Sequence, residues 1–199
     1  MIRRLALSTA AIVAYAACGG ARSHEVLEDP NVSLAPLSRI GLVTFTAQGA
    51  KGALVTLATQ KFQEQLLRAQ PGTEILELGV ITGPVDAATV QRLGKEHGVK
   101  TIAVGHLTVS DLKPRVRILG GLSASTEVTI GLATKMFNAE SGATVWSRSS
   151  SMRETMHHVS ILNGVAVFDA NDAADAYGEF VNELVWNVTT DFRATWVRR

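Results

Sequence analysis

Apolar residues recur along this chain with two periods, and the period changes near its middle. Arg39-Ile40-Gly41-Leu42-Val43-Thr44-Phe45 is a short, mostly apolar run, the mark of a central strand. Between residues 51 and 69, Leu54, Ala58, Phe62 and Leu66 fall on one i, i+4 row, while Gln60, Lys61, Gln63 and Glu64 lie off it. That spacing predicts an amphipathic helix, stopped by Pro71-Gly72. Glu74 to Val80 predicts a second strand, and Gly83-Pro84 a turn. Asp86 is placed to cap a helix that carries Val90, Leu93 and His97 and ends at Gly98. Thr101 to Leu107 follows as a third strand. The order β-α-β-α-β calls for parallel pairing, with helices packed on the sheet.

Beyond that point the period is two. In Glu127 to Met136, Val128, Ile130, Leu132 and Met136 point one way, and Glu127, Thr129 and Lys135 the other. Asn138 to Gly142 is a turn, and Thr144 to Arg153 a further strand, polar along much of its length and anchored by Val145 and Trp146. This predicts an antiparallel hairpin with one wet face. In His157 to Phe168, Asn163-Gly164 sits between alternating apolar residues, a signal for a tight hairpin turn. Tyr177, Phe180, Val181, Leu184, Val185, Val188 and Phe192 form the stripe of a closing helix over 173–196, capped by Asn171 or Asp172. The expectation is a single α/β (α+β) domain over 38–199, with a mixed sheet and a C-terminal helix packed on it.

The first 37 residues follow neither period. Met1-Ile2-Arg3-Arg4 is basic, and Leu5 to Ala17 is an uncharged apolar run of 13 residues. A membrane-spanning helix needs about 20, so the run fits the apolar core of a signal peptide. Tyr15-Ala16-Ala17-Cys18 follows, and resembles the bacterial lipobox, in which the cysteine is acylated and becomes the mature N-terminus. Two processing routes stay open: lipidation at Cys18, with 1–17 removed, or ordinary secretory cleavage after Ala16. Cys18 is the chain's one cysteine, so it has no internal disulfide partner, and lipidation alone gives it a role. Residues 18–37, with Pro30 and Pro36, are expected to be a tether, reaching at most roughly 65 Å.

Composition narrows the function classes. The chain is 46% hydrophobic and 19% charged, ordinary for one packed domain among its 199 residues. Without residues 1–17 it carries 17 Lys and Arg against 18 Asp and Glu, a net charge of −1. That is no basis for binding nucleic acid, which needs clustered bases to release counterions from phosphate.

Three stretches carry a family resemblance. They are the opening strand Ile40 to Phe45; Leu93 to Gly105, a helix end running through Gly98-Val99 into a strand; and Met136 to Ser147, a strand-turn-strand in which Gly142 turns into Val145-Trp146. Over about 39–192 the chain resembles the envelope lipoprotein domains related to CsgG, LpoB and the N-terminal domain of TolB. The resemblance implies a non-enzymatic protein: an export-pore subunit, an activator of peptidoglycan synthases, or an adaptor. Curli-type pores contribute long membrane hairpins, and a spanning strand needs about 9–11 residues. The arms beside Asn163-Gly164 are shorter.

No catalytic, metal or cofactor site is expected. His24, His97, His106, His157 and His158 form no H-x-x-x-H or H-E-x-x-H pattern, and adjacent residues on a strand face opposite ways. Asp169, Asp172 and Asp175 fit capping of a helix start. Ser147, Ser149, Ser150 and Ser151 lie in no G-x-S-x-G elbow, and Gly120-Gly121 lacks the Lys-Ser/Thr of a phosphate loop. Of Trp146, Trp186 and Trp196, the last is expected to be partly exposed. The expected function is a lipid-anchored adaptor or assembly module at the outer membrane, facing the periplasm, bound to the membrane by its lipid and to an envelope protein. An oligomeric export-channel subunit and a hydrolase with an unrecognised site are the alternatives. Val159, Ile161, Leu162, Val165, Val167 and Phe168, crowded around Asn163-Gly164, are the candidate partner contact, because alternation leaves one face of that ribbon without cover. The competing reading is an extra strand buried on both faces.

Overall fold

The computed structural model describes residues 25–37, 39–117, 123–157, 159–168 and 173–198. In chain order its strands and helices are β1 (Glu25–Glu28), β2 (Ile40–Val43), β3 (Thr46–Gln48), β4 (Ala50–Gly52), α1 (Leu54–Ala69), β5 (Ile75–Gly79), α2 (Ala87–His97), β6 (Thr101–Arg117), β7 (Ser123–Asn138), β8 (Thr144–Met156), β9 (Val159–Leu162), β10 (Val165–Phe168), α3 (Ala173–Val188) and β11 (Thr195–Arg198). Short 3-10 turns occupy Ala35–Leu37 and Thr190–Phe192.

The main sheet runs β5-β2-β6-β7-β8, with β3 also on β6. Pairing is parallel among β5, β2, β3 and β6, then antiparallel through β7 and β8. The change of period in the sequence is this change of pairing. The parallel strand β2 is buried throughout; the later strands alternate, because only one of their faces meets a helix.

Helices α1 and α3 lie on one face. Leu54, Ala58, Phe62 and Leu66 of α1 and Tyr177, Val181, Leu184 and Val185 of α3 are buried with Leu42, Leu107, Ile130 and Leu132 in the larger core. Helix α2 covers the opposite face only near β2 and the start of β6, packing Val90 and Leu93 on Val43, Val99 and Ile102. Its ends are as the sequence indicates: Asp86 Oδ1 accepts from the Thr89 amide at 2.8 Å, and Gly98 closes the helix in the left-handed conformation with φ 62°. Gly94 lets α2 sit tight on the β7–β8 turn, since a Cβ there would come within 2.5 Å of Ala139 Cβ.

Three expectations are corrected. Residues 25–37, assigned to the tether, belong to the domain: β1 pairs with β11, and Leu34 is fully buried. Polar and apolar residues are mixed there because the segment lies on the domain's surface. The closing helix stops at Val188, not Trp196, because the Thr189 hydroxyl turns back to the Val185 carbonyl at 2.7 Å and Phe192 folds inward onto Trp146. The third strand extends to Arg117 and its partner begins at Ser123, making one long hairpin. A bulge between Ser110 and Lys113, with Asp111 at φ 53°, breaks the alternation that would have shown it. The β9–β10 hairpin, read from the sequence as a partner contact or an extra strand buried on both faces, stands outside the main sheet. It pairs with β4 in a three-stranded sheet of its own.

Candidate interaction surfaces

The long strands β6, β7 and β8 put one face on the core and turn the other outward. Midway along these strands the outward residues are small or polar: His106 and Thr108 on β6, Gly131 and Ala133 on β7, Ser149 and Ser151 on β8. They lie in register, with His106 opposite Ala133 and Ala133 opposite Ser149. Together they line a shallow hollow of about 340 Å³. At its border the Thr46 hydroxyl meets His106 Nδ1 at 2.8 Å. In the sequence Ser147, Ser149, Ser150 and Ser151 belong to the wet strand of a hairpin, and nothing in that stretch alone joins them to His106 and Thr108. The alternation His106-Leu107-Thr108-Val109-Ser110 carried that signal.

A second concavity, of about 540 Å³, lies where the end of β8 meets α3. Glu154, Asp175, Glu179 and Glu183 line it with His157 and Phe180. Asp175 sits in the first turn of α3, where a carboxylate favours the helix dipole.

The β9–β10 hairpin turns at Asn163 and Gly164, with φ 53° and 76°, the left-handed pair of a type I′ turn. Its residues divide by face and by distance from the turn. Ile161 and Leu162 are exposed, at 38% and 64%. Val159, Val165 and Val167 are partly buried. Phe168 is a core residue, packed edge-on against Tyr177 at 5.3 Å, and drops out of the candidate contact. Parallel pairing with β4 draws this end of the hairpin under α3.

At the other end of the domain, Gln70 ties the N-terminal segment down. Its side chain accepts from the Leu34 amide at 2.6 Å and donates to the Val32 carbonyl at 2.7 Å and the Phe192 carbonyl at 3.1 Å. The β1–β11 ribbon springs from this knot. Leu27 and Trp196 are cross-strand partners on it, and both are exposed, at 51% and 67%. Trp186, nearly half exposed on α3, is stacked under the Arg193 guanidinium at 3.7 Å. Burial lowers the Arg193 pKa from its ordinary value.

Cys18, His24, Gly120, Gly121, His158, Asp169, Asn171 and Asp172 lie outside the described residues. His97 ends α2, the helix that packs over the start of the sheet face bearing His106, and is exposed. Among the described residues, no group of three or more His, Cys, Asp or Glu is placed to hold a metal ion, and no helix is long and apolar enough to cross a membrane.

No family model matches this chain, and no curated protein matches its sequence. Solved structures do. The PelC dodecamer from Paraburkholderia phytofirmans aligns over 87% of this chain and 99% of its own, with a TM-score of 0.50 and 12% identity. The chain's fold is similar to that of PelC. The lipoprotein GNA1162 from Neisseria meningitidis aligns over 73% of this chain and 96% of its own, with a TM-score of 0.39 and 16% identity. The LpoB C-terminal domain from Salmonella enterica aligns over 59% and 84%, with a TM-score of 0.39 and 10% identity. At these identities the likeness is one of fold.

Proposed function

We propose that this chain is a lipid-anchored, non-catalytic module of the bacterial cell envelope that acts by binding protein. The observation that carries the reading is the outer face of β6, β7 and β8. Three long strands share a core on one side, and on the other present Thr108, Gly131, Ala133, Ser149 and Ser151 with no helix over them among the described residues. Side chains this small let a second backbone come close. The sequence supports the anchor: residues 1–17 are the leader, and acyl chains on Cys18, at about 0.8 kcal/mol per buried CH₂, hold the chain on a membrane. Gly19, rather than Asp, follows the cysteine, which by the sorting rule of enteric bacteria favours the outer membrane and a domain in the periplasm.

The test is a photocrosslinking amino acid at Ser149, compared with one at Lys95 on α2, in cells with intact membranes. A discrete adduct from position 149 and none from position 95 supports a partner on the sheet face. Equal, diffuse labelling from both positions overturns it.

A second reading, that the partner is another copy of this chain, is favoured by the structure with which the fold aligns over most of both chains, since that PelC is a dodecamer. The mass of the position-149 adduct separates the two. Two copies of this chain, with a many-subunit particle in mild detergent, mean self-assembly; a different mass and a monomeric particle mean an adaptor.

A further inference from the structure

Strand β1 begins seven residues after Cys18. A fully extended leash of that length spans at most roughly 24 Å. If the lipid holds Cys18 in a bilayer, β1 and its partner β11 stand at or near the surface of that bilayer, closer along the chain than any other described element.

This ribbon carries an exposed apolar pair. Leu27 and Trp196 are opposite one another in the register, so their side chains share a face. In the antiparallel pairing Glu25 meets Arg198 on the same side of the ribbon, bridged at 3.4 Å, while Val26 and Val197 share the other face and are partly buried. Trp196 is two-thirds exposed, and its indole N–H makes no hydrogen bond to another described residue. An indole with its apolar body uncovered suits the boundary between lipid headgroups and acyl chains, where Trp is enriched for having one apolar and one polar side. The ribbon's root is held firm. The Val32 amide donates to the Asp191 carbonyl at 2.9 Å, and Arg193 donates to Gln65 Oε1 at 2.6 Å and to Thr189 Oγ1 at 2.9 Å. A firm root fixes which face of the ribbon meets whatever lies beyond it.

We infer that the Leu27–Trp196 face of the β1–β11 ribbon rests in the interfacial layer of the membrane that holds Cys18, as a second, protein-borne contact that sets the orientation of the domain. The inference rests on the anchoring reading above. It goes beyond that reading because a lipid at one point of the chain fixes distance but not orientation.

The test uses the full chain, processed in cells, extracted and reconstituted into vesicles of phosphatidylethanolamine and phosphatidylglycerol. Mass spectrometry of the N-terminal peptide reports the acyl chains. Tryptophan emission is then recorded with lipids brominated near the headgroup and with aqueous iodide, for the wild type and for Trp196→Leu. The expected result is that bromolipid quenches the wild type, that Trp196→Leu loses most of that quenching, and that Leu27→Ser, which leaves all three tryptophans in place, weakens it. An acylated protein whose Trp196 is quenched by iodide and not by bromolipid overturns the ribbon contact and leaves the anchor standing. Shielding of Trp196 from both quenchers also overturns it, since protein then covers the ribbon. A mass spectrum without acyl chains on Cys18 removes the anchor and the ribbon contact together.

Discussion

Trp146 donates its indole N–H to the Asp191 carboxylate at 3.2 Å, joining the start of β8 to the turn after α3. Arg148 pairs with the same carboxylate from two residues along the strand. Burial works to raise the Asp191 pKa, but the Arg148 and Trp146 hydrogen bonds and the Arg148 charge outweigh it, so the carboxyl titrates below its ordinary value of 3.8. The unfolded chain therefore takes up this proton first. The stabilisation is complete above 3.8 and drains away as pH falls through the folded-state value. Asp191→Asn is expected to cost about 1–3 kcal/mol at neutral pH. It should also flatten the acid limb of the stability curve, measured by urea unfolding between about pH 5 and 2. Parallel acid limbs for wild type and variant would show that the carboxylate's charge contributes nothing.

Leu184 is 1% exposed, on the face of α3 that meets the sheet. Leu184→Ala is expected to cost roughly 2–5 kcal/mol, the usual range for a large-to-small change in a packed core. Thermal and denaturant unfolding measure it, and a melting temperature within error of the wild type would place α3 outside the core.

Gln70 serves three backbone groups at once, so Gln70→Ala leaves the Leu34 amide and the Val32 and Phe192 carbonyls to find new partners. The expected loss is about 1–3 kcal/mol, concentrated at one end of the domain. Hydrogen exchange should quicken at Val32, Leu34 and Phe192 while the amides of β7 keep their protection. A uniform rise in exchange would mean that the knot supports the whole fold.

The hairpin at Asn163-Gly164 offers a paired comparison. Leu162→Asp, at an exposed position, is expected to change stability by no more than about 0.5 kcal/mol. Phe168→Asp, at a position 1% exposed, should prevent folding, because it buries a charge without a partner. Crosslinking of the Leu162→Asp protein in native membranes then reads the contact alone. Undiminished partner recovery would return this hairpin to a purely structural role.

Cys18→Ala is expected to move the protein from the membrane pellet to the soluble periplasmic fraction. A wild-type chain with an unmodified N-terminus at Ala17 would show that ordinary secretory cleavage is used instead.

Where a local rule sufficed, the sequence was legible. Asp86 and Gly98 bound α2 because capping and the left-handed turn are decided within a few residues. Asn163-Gly164 turned as predicted because few other pairs adopt positive φ twice in succession. The large cores also follow from spacing, since Leu54 to Leu66 and Tyr177 to Val188 keep helical period throughout. What was missed depends on distant partners. Glu25–Glu28 reads as linker until Thr195–Arg198 is laid beside it, and no local pattern announces that pairing. Pro114 and the bulge at Asp111 hid the outer half of β6, where a proline is tolerated because, among the described residues, no strand pairs with its far edge beyond Thr108. For the candidate surfaces, alternation showed which residues of β8 face outward. It could not show that α2 stops short of covering them.

The β1–β11 pairing also sets an order of events in time. A chain made or threaded from its N-terminus presents Glu25–Glu28 before residues 29–194 and Thr195–Arg198 after them, so the leading strand must wait, without its partner, for the rest of the domain to arrive. The entropic cost of closing so long a loop grows only slowly with length, so delay rather than instability separates the two strands. Until β11 arrives, β1 is a loose thread. Once it pairs, the two strands that bracket the domain are clasped together, and arrival of β11 becomes the signal that β1 is in place.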